Sequence, residues 1–439
     1  MGGDWPTTTF GDICSHSAFG PRFSSKEYSD KGNIACLRTK DISADGRIEF
    51  STMPMAELDE KSFFNHFLQR EDLVITRTGR VGTTAVFTEF DQPVVPGAFL
   101  IRFRLDRNLA YPRFYRYFFN SSSGQALIQT VATGSVQQNL NITNLHTLSI
   151  PLPPLATQKK IAHILGSLDD KIELNRQMNA TLEAMAQALF KSWFVDFDPV
   201  IDNALATGNP IPDELQARAE VRVALGDKRK PLPEAIQKQF PSSFVFSEEM
   251  GWIPEGWEET SFGKVIKPLK GKTITKKTVT SGDVPVVAGG LTPAYYHNMH
   301  NVEGPVVTVS ASGANAGYVN LYHQRIWASD CSYIGSRQTS HVYSTYLFLK
   351  GRQYEITRMQ QGAAQPHVYP KDLERLRFVK APDSLRDELE ARVRDSFKKI
   401  HVALNEADCL AELRDTLLPK LLSGQLRIPD VEKLVADAV

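Results

Sequence analysis

The stretch from Gly134 to Leu148 reads G-S-V-Q-Q-N-L-N-I-T-N-L-H-T-L, and a similar stretch occurs later in the chain. The second copy, from Gly362 to Leu376, reads G-A-A-Q-P-H-V-Y-P-K-D-L-E-R-L. The glycine, one glutamine and two leucines keep their places without a gap. The repeat unit is far longer than the roughly 20–50 residues of a stacked repeat, so it indicates a duplicated domain.

Each copy also begins alike and is followed by the same kind of segment. W-P-T-T-T-F-G-D-I from Trp5 resembles W-E-E-T-S-F-G-K-V from Trp257. A heptad pattern typical of long helices follows the copies from near Thr157 and near Leu385. These features predict an α+β protein with a pseudo-two-fold internal repeat. Two similar α/β domains are separated by two long helices that form an antiparallel coiled coil.

Apolar residues at heptad spacing mark both helices. The predicted seam residues are Ile161, Leu165, Leu168, Ile172 and Leu182 in the first helix, and Leu389, Val393, Ile400, Leu410, Leu417 and Leu421 in the second. Asn175 and Asn179 interrupt the first seam, where asparagine can fix the register at a cost in stability. The second seam is less regular, because Ser396 and Arg414 fall on it.

Two packing arrangements are open for these helices. Each helix of about 40 residues would be about 60 Å long, at about 1.5 Å per residue. Each could pack on its own globular domain, or the two could pair with each other. Their length favours pairing, because one small domain cannot cover so long a helix.

These landmarks divide the 439 residues into six segments. The predicted segments are a first globular domain at 1–152, a central long helix at 153–198, a proline-rich connector at 199–250, a second globular domain at 251–381, a distal long helix at 382–424 and a C-terminal tail at 425–439.

Composition limits the class of protein. Fifty basic and fifty acidic residues cancel, which argues mildly against a simple nucleic-acid coat. The four cysteines are scattered, as in a reduced intracellular protein. No apolar stretch of about 18 residues predicts a membrane span, and no signal peptide is evident at the N-terminus. We therefore expect a cytoplasmic protein that does not enter the membrane.

Motifs for catalysis and for metal binding fail on inspection. Lys270-Gly-Lys-Thr273 echoes a phosphate-binding loop, but the first glycine of that motif would fall at Ile266. His297 and His300 form an isolated H-x-x-H, which is more often polar surface than a metal site. The chain is therefore predicted to have no catalytic residues, to bind no metal and no cofactor, and to recognise rather than to catalyse.

Basic residues interleaved with aromatic and amide side chains suit nucleic acid. Such cations can neutralise phosphates, and Arg, Gln and Asn can read base edges. For any single residue, core packing or turn formation explains the pattern at least as well. The candidate DNA-binding residues are Arg77, Arg80, Arg102, Arg104, Gly134, Ser135, Gln137 and Asn139 in the first copy, and Lys270, Lys272, Lys276, Lys277 and Gln365 in the second.

The end of the first long helix is more apolar than one seam requires. An excess apolar face suggests a docking surface for another subunit. The alternative, that the chain's own second helix covers this face, is equally open. The candidate partner-interface residues are Leu189, Phe190, Trp193, Phe194 and Phe197.

Several stretches resemble the specificity subunit of type I restriction–modification systems, and together they span the chain. They lie at domain edges and in the long helices, and they read Thr133-Gly-Ser-Val-Gln-Gln-Asn-Leu140, Ile150-Pro-Leu-Pro-Pro-Leu-Ala-Thr-Gln-Lys-Lys-Ile161, Leu165-Gly-Ser-Leu-Asp-Asp-Lys-Ile-Glu-Leu-Asn175, Leu189-Phe-Lys-Ser-Trp-Phe-Val-Asp-Phe-Asp198, Ile253-Pro-Glu-Gly-Trp257 and Leu417-Leu-Pro-Lys-Leu-Leu-Ser-Gly424. One departure is the second glutamine motif, which lacks the serine and asparagine of the first.

The resemblance implies that both globular domains are target-recognition domains, each binding half of a split double-stranded DNA site. It implies that the helices space the domains and dock two modification (methyltransferase) subunits, and that restriction (motor-nuclease) subunits join the complex. S-adenosylmethionine, ATP and Mg would be bound by those partners. Two alternatives remain open at this point: a coiled-coil scaffold without a DNA role, and a self-contained DNA methyltransferase.

Overall fold

The computed structural model describes residues 5–134, 138–229, 231–361, 366–426 and 428–436. The chain divides into two compact units. Unit 1 contains Met1–Asn175 and Glu406–Val439, and unit 2 contains Arg176–Asn405. Each unit therefore holds one copy of the repeat together with one half of each long helix.

The first repeat copy in unit 1 consists of short strands followed by helices. Its strands are β1 (Thr7–Thr9), β2 (Cys14–Phe19), β3 (Ile34–Leu37), β4 (Met55–Ala56), β5 (Leu73–Thr76), β6 (Thr84–Val86), β7 (Val94–Pro96), β8 (Leu100–Leu105) and β9 (Ser149–Pro151). Its helices are α1 (Glu60–Phe63), α2 (Pro112–Asn120), α3 (Ser122–Val131) and α4 (Ile142–His146). Pro112 at the start of α2 lacks an N–H and loses nothing at a helix N-terminus.

The first long helix and the connector follow. The long helix is α5 (Leu155–Phe194). The connector forms α6 (Asp198–Thr207), α7 (Asp213–Ala224), α8 (Glu234–Gln237), β10 (Phe244–Ser247) and β11 (Gly251–Pro254). Phe197 separates α5 from α6 with a left-handed φ of 54°.

The second repeat copy lies in unit 2. Its strands are β12 (Glu258–Ser261), β13 (Leu269–Lys270), β14 (Val284–Val287), β15 (Tyr295–His297), β16 (Val306–Ser310), β17 (Val319–Tyr322), β18 (Trp327–Ala328), β19 (Cys331–Gly335) and β20 (Arg377–Lys380). Its helices are α9 (Phe262–Val265), α10 (Val342–Gly351), α11 (Gln353–Arg358) and α12 (Pro370–Glu374). The second long helix is α13 (Asp383–Leu422), and α14 (Ile428–Ala436) follows it.

The two copies have the same sheet topology, strand for strand. In unit 1 the sheets run β2-β8-β5-β6 and β4-β3-β7, and β1 pairs with β9. In unit 2 they run β13-β19-β16-β17 and β15-β14-β18, and β12 pairs with β20. Even the parallel pair β3·β7 has its counterpart in β14·β18. The predicted duplication of an α/β domain is confirmed.

The long helices run antiparallel within unit 1. Asp169 of α5 accepts a hydrogen bond from Arg414 of α13 at 2.8 Å. One to two turns later on α5, Asn175 donates to Glu406 at 2.9 Å, which lies earlier on α13. The predicted seam asparagine is thus buried and paired across the helices, as expected of a register-fixing residue. Arg414 stands at a seam position where the heptad pattern calls for an apolar residue. Its charge is balanced there by Asp169.

The seam side chains pack against the other long helix and also against the globular domain of their own unit. In unit 1 the seam belongs to the same apolar cluster as the sheet and α2, with Ile161, Leu165, Leu168, Ile172, Leu410, Leu417 and Leu421. In unit 2 the cluster holds Leu389, Val393 and Ile400, with Leu182 packed at its edge. The predicted pairing of the helices is confirmed, and each half-helix also covers its own domain.

The predicted C-terminal tail contains a further helix. Gly424 turns the chain with a left-handed φ of 77°, and α14 follows. Val431 and Val435 of α14 are buried in the apolar cluster of unit 1. The same order, a long helix, a left-handed residue and a short helix, occurs at Phe197, so the repeat extends beyond the seam.

Candidate nucleic-acid interface

A glycine permits a tight backbone crossing at the same place in both copies. Gly20 donates its N–H to Leu100 O at 3.0 Å, and Gly271 donates to Cys331 O at 2.8 Å. A Cβ on Gly20 would lie 2.0 Å from the carbonyl oxygen of Gly97, and one on Gly271 would lie 2.2 Å from a carbonyl oxygen as well. Any side chain would therefore collide with the facing backbone. The glycine of the K-G-K sequence is therefore explained by this crossing.

The repeated glutamine motif docks on the end of one strand in each copy. In unit 1, Leu140 donates its N–H to Arg77 O at 3.2 Å, directly after β5. In unit 2, Val368 donates to Ala311 O at 3.0 Å, directly after β16. The flanking segments are bridged in both copies, Thr133 to Asn139 and Gln361 to His367. Arg77 and Ala311 are therefore equivalent positions, and so are Asn139 and His367.

The two motifs contain several of the predicted DNA-binding residues. Gly134 is exposed and adopts a left-handed φ of 98° where the unit 1 motif begins. Ser135, Gln137 and Gln365 lie outside the described residues.

A cleft of about 720 Å³ opens beside the motif of unit 1. Its walls combine cationic, aromatic and amide side chains, which is the chemistry that suits DNA. The lining residues are Pro21, Arg22, Phe23, Tyr28, Arg38, Thr39, Lys40, Arg77, Thr78, Gly97, Ala98, Phe99, Leu100 and Asn139.

The cations of this cleft differ in how far they are already paired. Arg38 forms a two-pronged ion pair with buried Asp41, with both hydrogen bonds at 2.8 Å. These hydrogen bonds raise the pKa of Arg38. Arg22 and Lys40 are exposed, and no carboxylate among the described residues lies within ion-pair distance of either. Arg22 and Lys40 are free to meet phosphates, whereas Arg38 shapes the wall.

Arg77 is held by its neighbours while its terminal nitrogens stay open. Its Nε–H donates to Asn139 Oδ1 at 3.0 Å. The guanidinium lies over the ring of Phe19, 4.7 Å from the centroid. Within the described part of the chain neither terminal nitrogen has a hydrogen-bond partner. The predicted residues Arg77 and Asn139 thus come together in one site.

The equivalent surface of unit 2 has different side chains. The crossing at Gly271 places Lys270 and Lys272 where unit 1 has Phe19 and Pro21. The predicted lysines Lys270, Lys272, Lys276 and Lys277 are all exposed, and among the described residues none has a carboxylate partner. At the end of β16, the Ser312 hydroxyl donates to Asp330, and the ring of His367 stacks on Tyr369. The two copies therefore share a scaffold but not a contact surface.

Three other predicted arginines are engaged by the fold. Arg102 is 1% exposed, and its guanidinium donates to the carbonyls of Asn65 and Phe67 at 3.1 and 3.0 Å. Burial lowers its pKa, although Asp72 opposes this. Direct DNA contact by Arg102 is therefore excluded by its burial. Arg104 is partly exposed but paired with Asp72 at 3.0 Å. Arg80 is exposed, and it donates to Ile42 O at 2.9 Å.

The proposed docking face on α5 is mostly covered by unit 2 itself. Phe190, Trp193 and Phe197 are 8%, 1% and 7% exposed. Trp193 packs against Phe240 at 5.3 Å between ring centroids. These three side chains belong to the core of unit 2. Trp193 therefore offers almost no surface for docking, while Phe190 and Phe197 each keep one side on the cleft described next. Leu189 and Phe194 lie partly buried at the edge of this core.

Phe194 lines an apolar cleft in unit 2. The cleft has a volume of about 500 Å³ and lies between the end of α5 and helices α10 and α11. Val195, Phe348, Phe378 and Tyr354 also line it. Three of the five predicted interface residues, Phe190, Phe194 and Phe197, line this cleft, and Phe194 is the least buried of them.

Of the residues that line the unit 1 cleft, only Arg77 and Asn139 were among the predicted DNA-binding residues, and Arg22, Lys40 and Phe99 were not. Phe99 is 61% exposed although it is a large apolar side chain. Each comes from a separate loop, so no local pattern unites them. An alignment of Gly20 with Gly271 places Arg22 at the position of Thr273, which lies within the lysine run of the second copy. That alignment would have indicated Arg22 as a candidate.

Neither a metal-binding cluster nor a membrane-spanning helix occurs among the described residues. No cluster of three or more His, Cys, Asp or Glu side chains there could hold a metal ion. No helix in that part of the chain is long and apolar enough to cross a membrane.

Comparison with known proteins identifies the class. The family model for the type I restriction modification DNA specificity domain matches residues 2–184 and 254–405, which is more than half of the chain. The two matched stretches contain the two repeat copies. The chain belongs to this family of specificity proteins, and the resemblance seen in its sequence motifs is confirmed.

Individual relatives are distant in sequence but cover most of the chain. The type I restriction enzyme HindI specificity subunit of Haemophilus influenzae is 25% identical, over 96% of this chain and 100% of its own. The MjaIX specificity subunit of Methanocaldococcus jannaschii is 23% identical over 72% of this chain and 69% of its own. The crystal structure of a type I S subunit from M. genitalium shares the fold, with a TM-score of 0.55, 16% identity, and coverage of 95% of this chain and 96% of that one.

Proposed function

We propose that this chain is the DNA sequence-recognition subunit of a type I restriction–modification complex. One observation carries the proposal: the specificity-domain model matches both repeat copies, and each copy presents cationic side chains at equivalent loops. A protein that reads a split target needs two recognition surfaces, and a duplicated domain supplies them.

Within this proposal, unit 1 and unit 2 each bind one part of a bipartite target. The unit 1 cleft offers Arg22, Lys40 and Arg77 together with Asn139. The unit 2 surface offers its four exposed lysines, and His367 occupies the position equivalent to Asn139. Because the side chains differ at equivalent positions, the two parts of the target should differ in sequence. Phosphate contacts would position each unit, and base-edge contacts would specify the sequence.

The chemistry would belong to partner subunits. We propose that the chain itself is not catalytic and docks two modification subunits and the restriction subunits of the complex. S-adenosylmethionine, ATP and Mg would be bound by those partners. Since its ligand is DNA within the cell, we expect the complex to work in the cytoplasm. Family membership supports this assembly and leaves the scaffold and self-contained methyltransferase alternatives without support.

Binding of duplex DNA at several salt concentrations tests the proposal. The full chain, together with its modification subunits, should bind one bipartite duplex more tightly than unrelated duplexes. Affinity should fall linearly on a log–log salt plot, because each phosphate contact releases counterions. Equal affinity for all duplexes, or no binding, would contradict it. Methylation by the pure chain alone would instead indicate a self-contained enzyme.

A further inference from the structure

We infer that Arg77 reads a guanine in the part of the target bound by unit 1, through a two-pronged contact in the major groove. The inference rests on the proposed function and adds to it one residue and one base. Two observations support it: the Arg77 side chain is held in one orientation, and unit 2 has an alanine, Ala311, at the equivalent position.

The backbone of Arg77 is fixed on both sides. Its N–H donates to Phe99 O at 3.0 Å, and its carbonyl accepts from Leu140 N–H at 3.2 Å. Arg77 directly follows β5, which lies inside its sheet between β8 and β6. A side chain that starts from such a position is placed more accurately than one on a free loop.

The guanidinium is oriented as well as anchored. The hydrogen bond from Nε–H to Asn139 Oδ1 and the stacking over Phe19 use one edge and one face of the planar group. The edge formed by the two terminal nitrogens stays open to the cleft, as far as the described residues show. An arginine fork held in this way matches the paired O6 and N7 acceptors of guanine. Little rotamer entropy remains to be lost on binding.

The other arginines nearby lack this combination. The guanidinium of Arg38 is already engaged in its two-pronged ion pair with Asp41, and that of Arg104 is paired with Asp72. Arg22 is open but has no partner in the described chain that orients it. Arg22 therefore suits a phosphate contact, which tolerates several geometries. Of these arginines, Arg77 is the one whose guanidinium is both open and already oriented in the absence of DNA.

Unit 2 cannot make the same contact, because Ala311 occupies the equivalent position. The Arg77-read guanine should therefore occur in one part of the target only. Asn139 acts here as a positioning residue, because its oxygen is already committed to Arg77 Nε.

Base-analogue binding tests the inference. The target would first be found by sequencing modified bases in cells that carry the complete system. Duplexes with 7-deazaguanine at one guanine at a time lack the N7 acceptor. The complex of the full chain with its modification subunits should lose roughly 5- to 150-fold in affinity at one such guanine. The Arg77→Ala complex should lose affinity for the normal target and show no further loss with the analogue.

A charge-preserving variant separates base reading from phosphate binding. Arg77→Lys keeps the charge and loses the fork. It should lose the guanine preference while keeping its affinity for unrelated duplexes within about 2-fold. Arg22→Ala serves as the matched control. It should weaken binding to all duplexes alike and reduce the salt slope by about 1.

Three results would overturn the inference without touching the proposed function. The wild-type complex could be insensitive to 7-deazaguanine at every guanine of its target. Arg77→Ala could remain sensitive to the analogue at that guanine. Arg77→Lys could retain full discrimination, which would make Arg77 a phosphate contact. Absence of any sequence preference in the wild-type complex would instead refute the proposed function. Circular dichroism confirms folding of each variant, and because Arg77 is only partly buried its removal leaves no core cavity.

Discussion

Asp169 of α5 accepts a hydrogen bond of 2.8 Å from Arg414 of α13 and so connects the two long helices in unit 1. Its other carboxylate oxygen accepts hydrogen bonds from Arg116 at 2.9 Å and from the Tyr117 hydroxyl at 2.6 Å, both on α2. One carboxylate therefore links both helices of the seam to the recognition domain. The three polar groups that face it are partly or fully buried.

Removal of this carboxylate should loosen unit 1 more than a nearby surface change. Asp169→Ala removes the carboxylate partner of Arg116 and leaves Arg414 paired, among the described residues, with the exposed Asp415 alone. Loss of one partner from a buried ion pair costs about 3–5 kcal/mol. Hydrogen exchange of peptides from α2 and from the second half of α13 should speed up together. Asp170→Ala, one residue further and exposed, is the control and should change exchange little. Equal effects of the two variants would show that the Asp169 contacts contribute nothing.

Trp193 should prove to be a core residue of unit 2 and not a partner contact. Trp193→Ala removes a side chain that is 1% exposed, and large-to-small core changes of this kind cost about 3–5 kcal/mol. Val195→Ala, at a 54% exposed position close by, is the matched control and should be nearly neutral. Urea unfolding followed by tryptophan fluorescence and circular dichroism compares the two. A Trp193→Ala protein as stable as wild type would contradict the observed packing.

The four exposed lysines of unit 2 should contribute affinity without sequence preference. Each change of Lys270, Lys272, Lys276 or Lys277 to alanine should weaken binding to specific and unrelated duplexes alike. Each should also lower the salt slope by about 0.9, if that lysine neutralises one phosphate. Lys238→Ala, in the connector and paired with Glu234, should leave the slope unchanged. A variant that altered the preferred sequence would assign that lysine to base reading instead.

Unit 2 should lose stability as the solution becomes mildly acidic. The ring of His323 stacks on His401 with centroids 4.9 Å apart, beside Tyr343 and Phe397. Burial and the charge of His401 lower the pKa of His323 from 6.5 to about 4. Between these values the unfolded chain binds more protons than the folded one, so stability is full above about pH 6.5 and declines as pH falls toward 4.

The His323→Phe variant checks this dependence. It keeps an aromatic ring in the stack and removes the titrating group, so its urea midpoint should change less between pH 7.5 and pH 5. Between pH 7.5 and pH 5 the effect is at most roughly 2 kcal/mol, at about 1.4 kcal/mol per pKa unit, and less because the ring is partly exposed. If the variant and the wild type lose the same stability on acidification, other groups cause the loss.

The large-scale plan could be predicted from the sequence because it rests on repeated local patterns. The heptad seam predicts helices of about 40 residues, and α5 and α13 each contain 40. The repeated glutamine motif marks the same bridged pair of positions in both copies, Thr133 with Asn139 and Gln361 with His367. Even Arg414, out of place in an apolar seam, is explained by one charged partner on the facing helix.

The individual contacts could not be predicted, because they depend on residues far apart in the chain. The Arg102 guanidinium is buried because carbonyls from a loop near Asn65 and Phe67 close over it. Trp193 is covered by Phe240, which comes from the connector. The sequence around an Arg or Trp in an apolar stretch does not show whether the fold buries that side chain or exposes it. Only the tertiary contacts distinguish Arg77, open in a cleft, from Arg102.

Exchange of one recognition copy tests the central claim, that each unit reads its own part of the target. Residues 1–150 would be replaced by the matching domain of a family member with a known target, and modified bases would be mapped across the genome of cells carrying the hybrid system. The account predicts that one part of the bipartite sequence changes to that of the donor, while the other part stays as in the parent. A hybrid that alters both parts, or that assembles and modifies DNA with neither part altered, would contradict it.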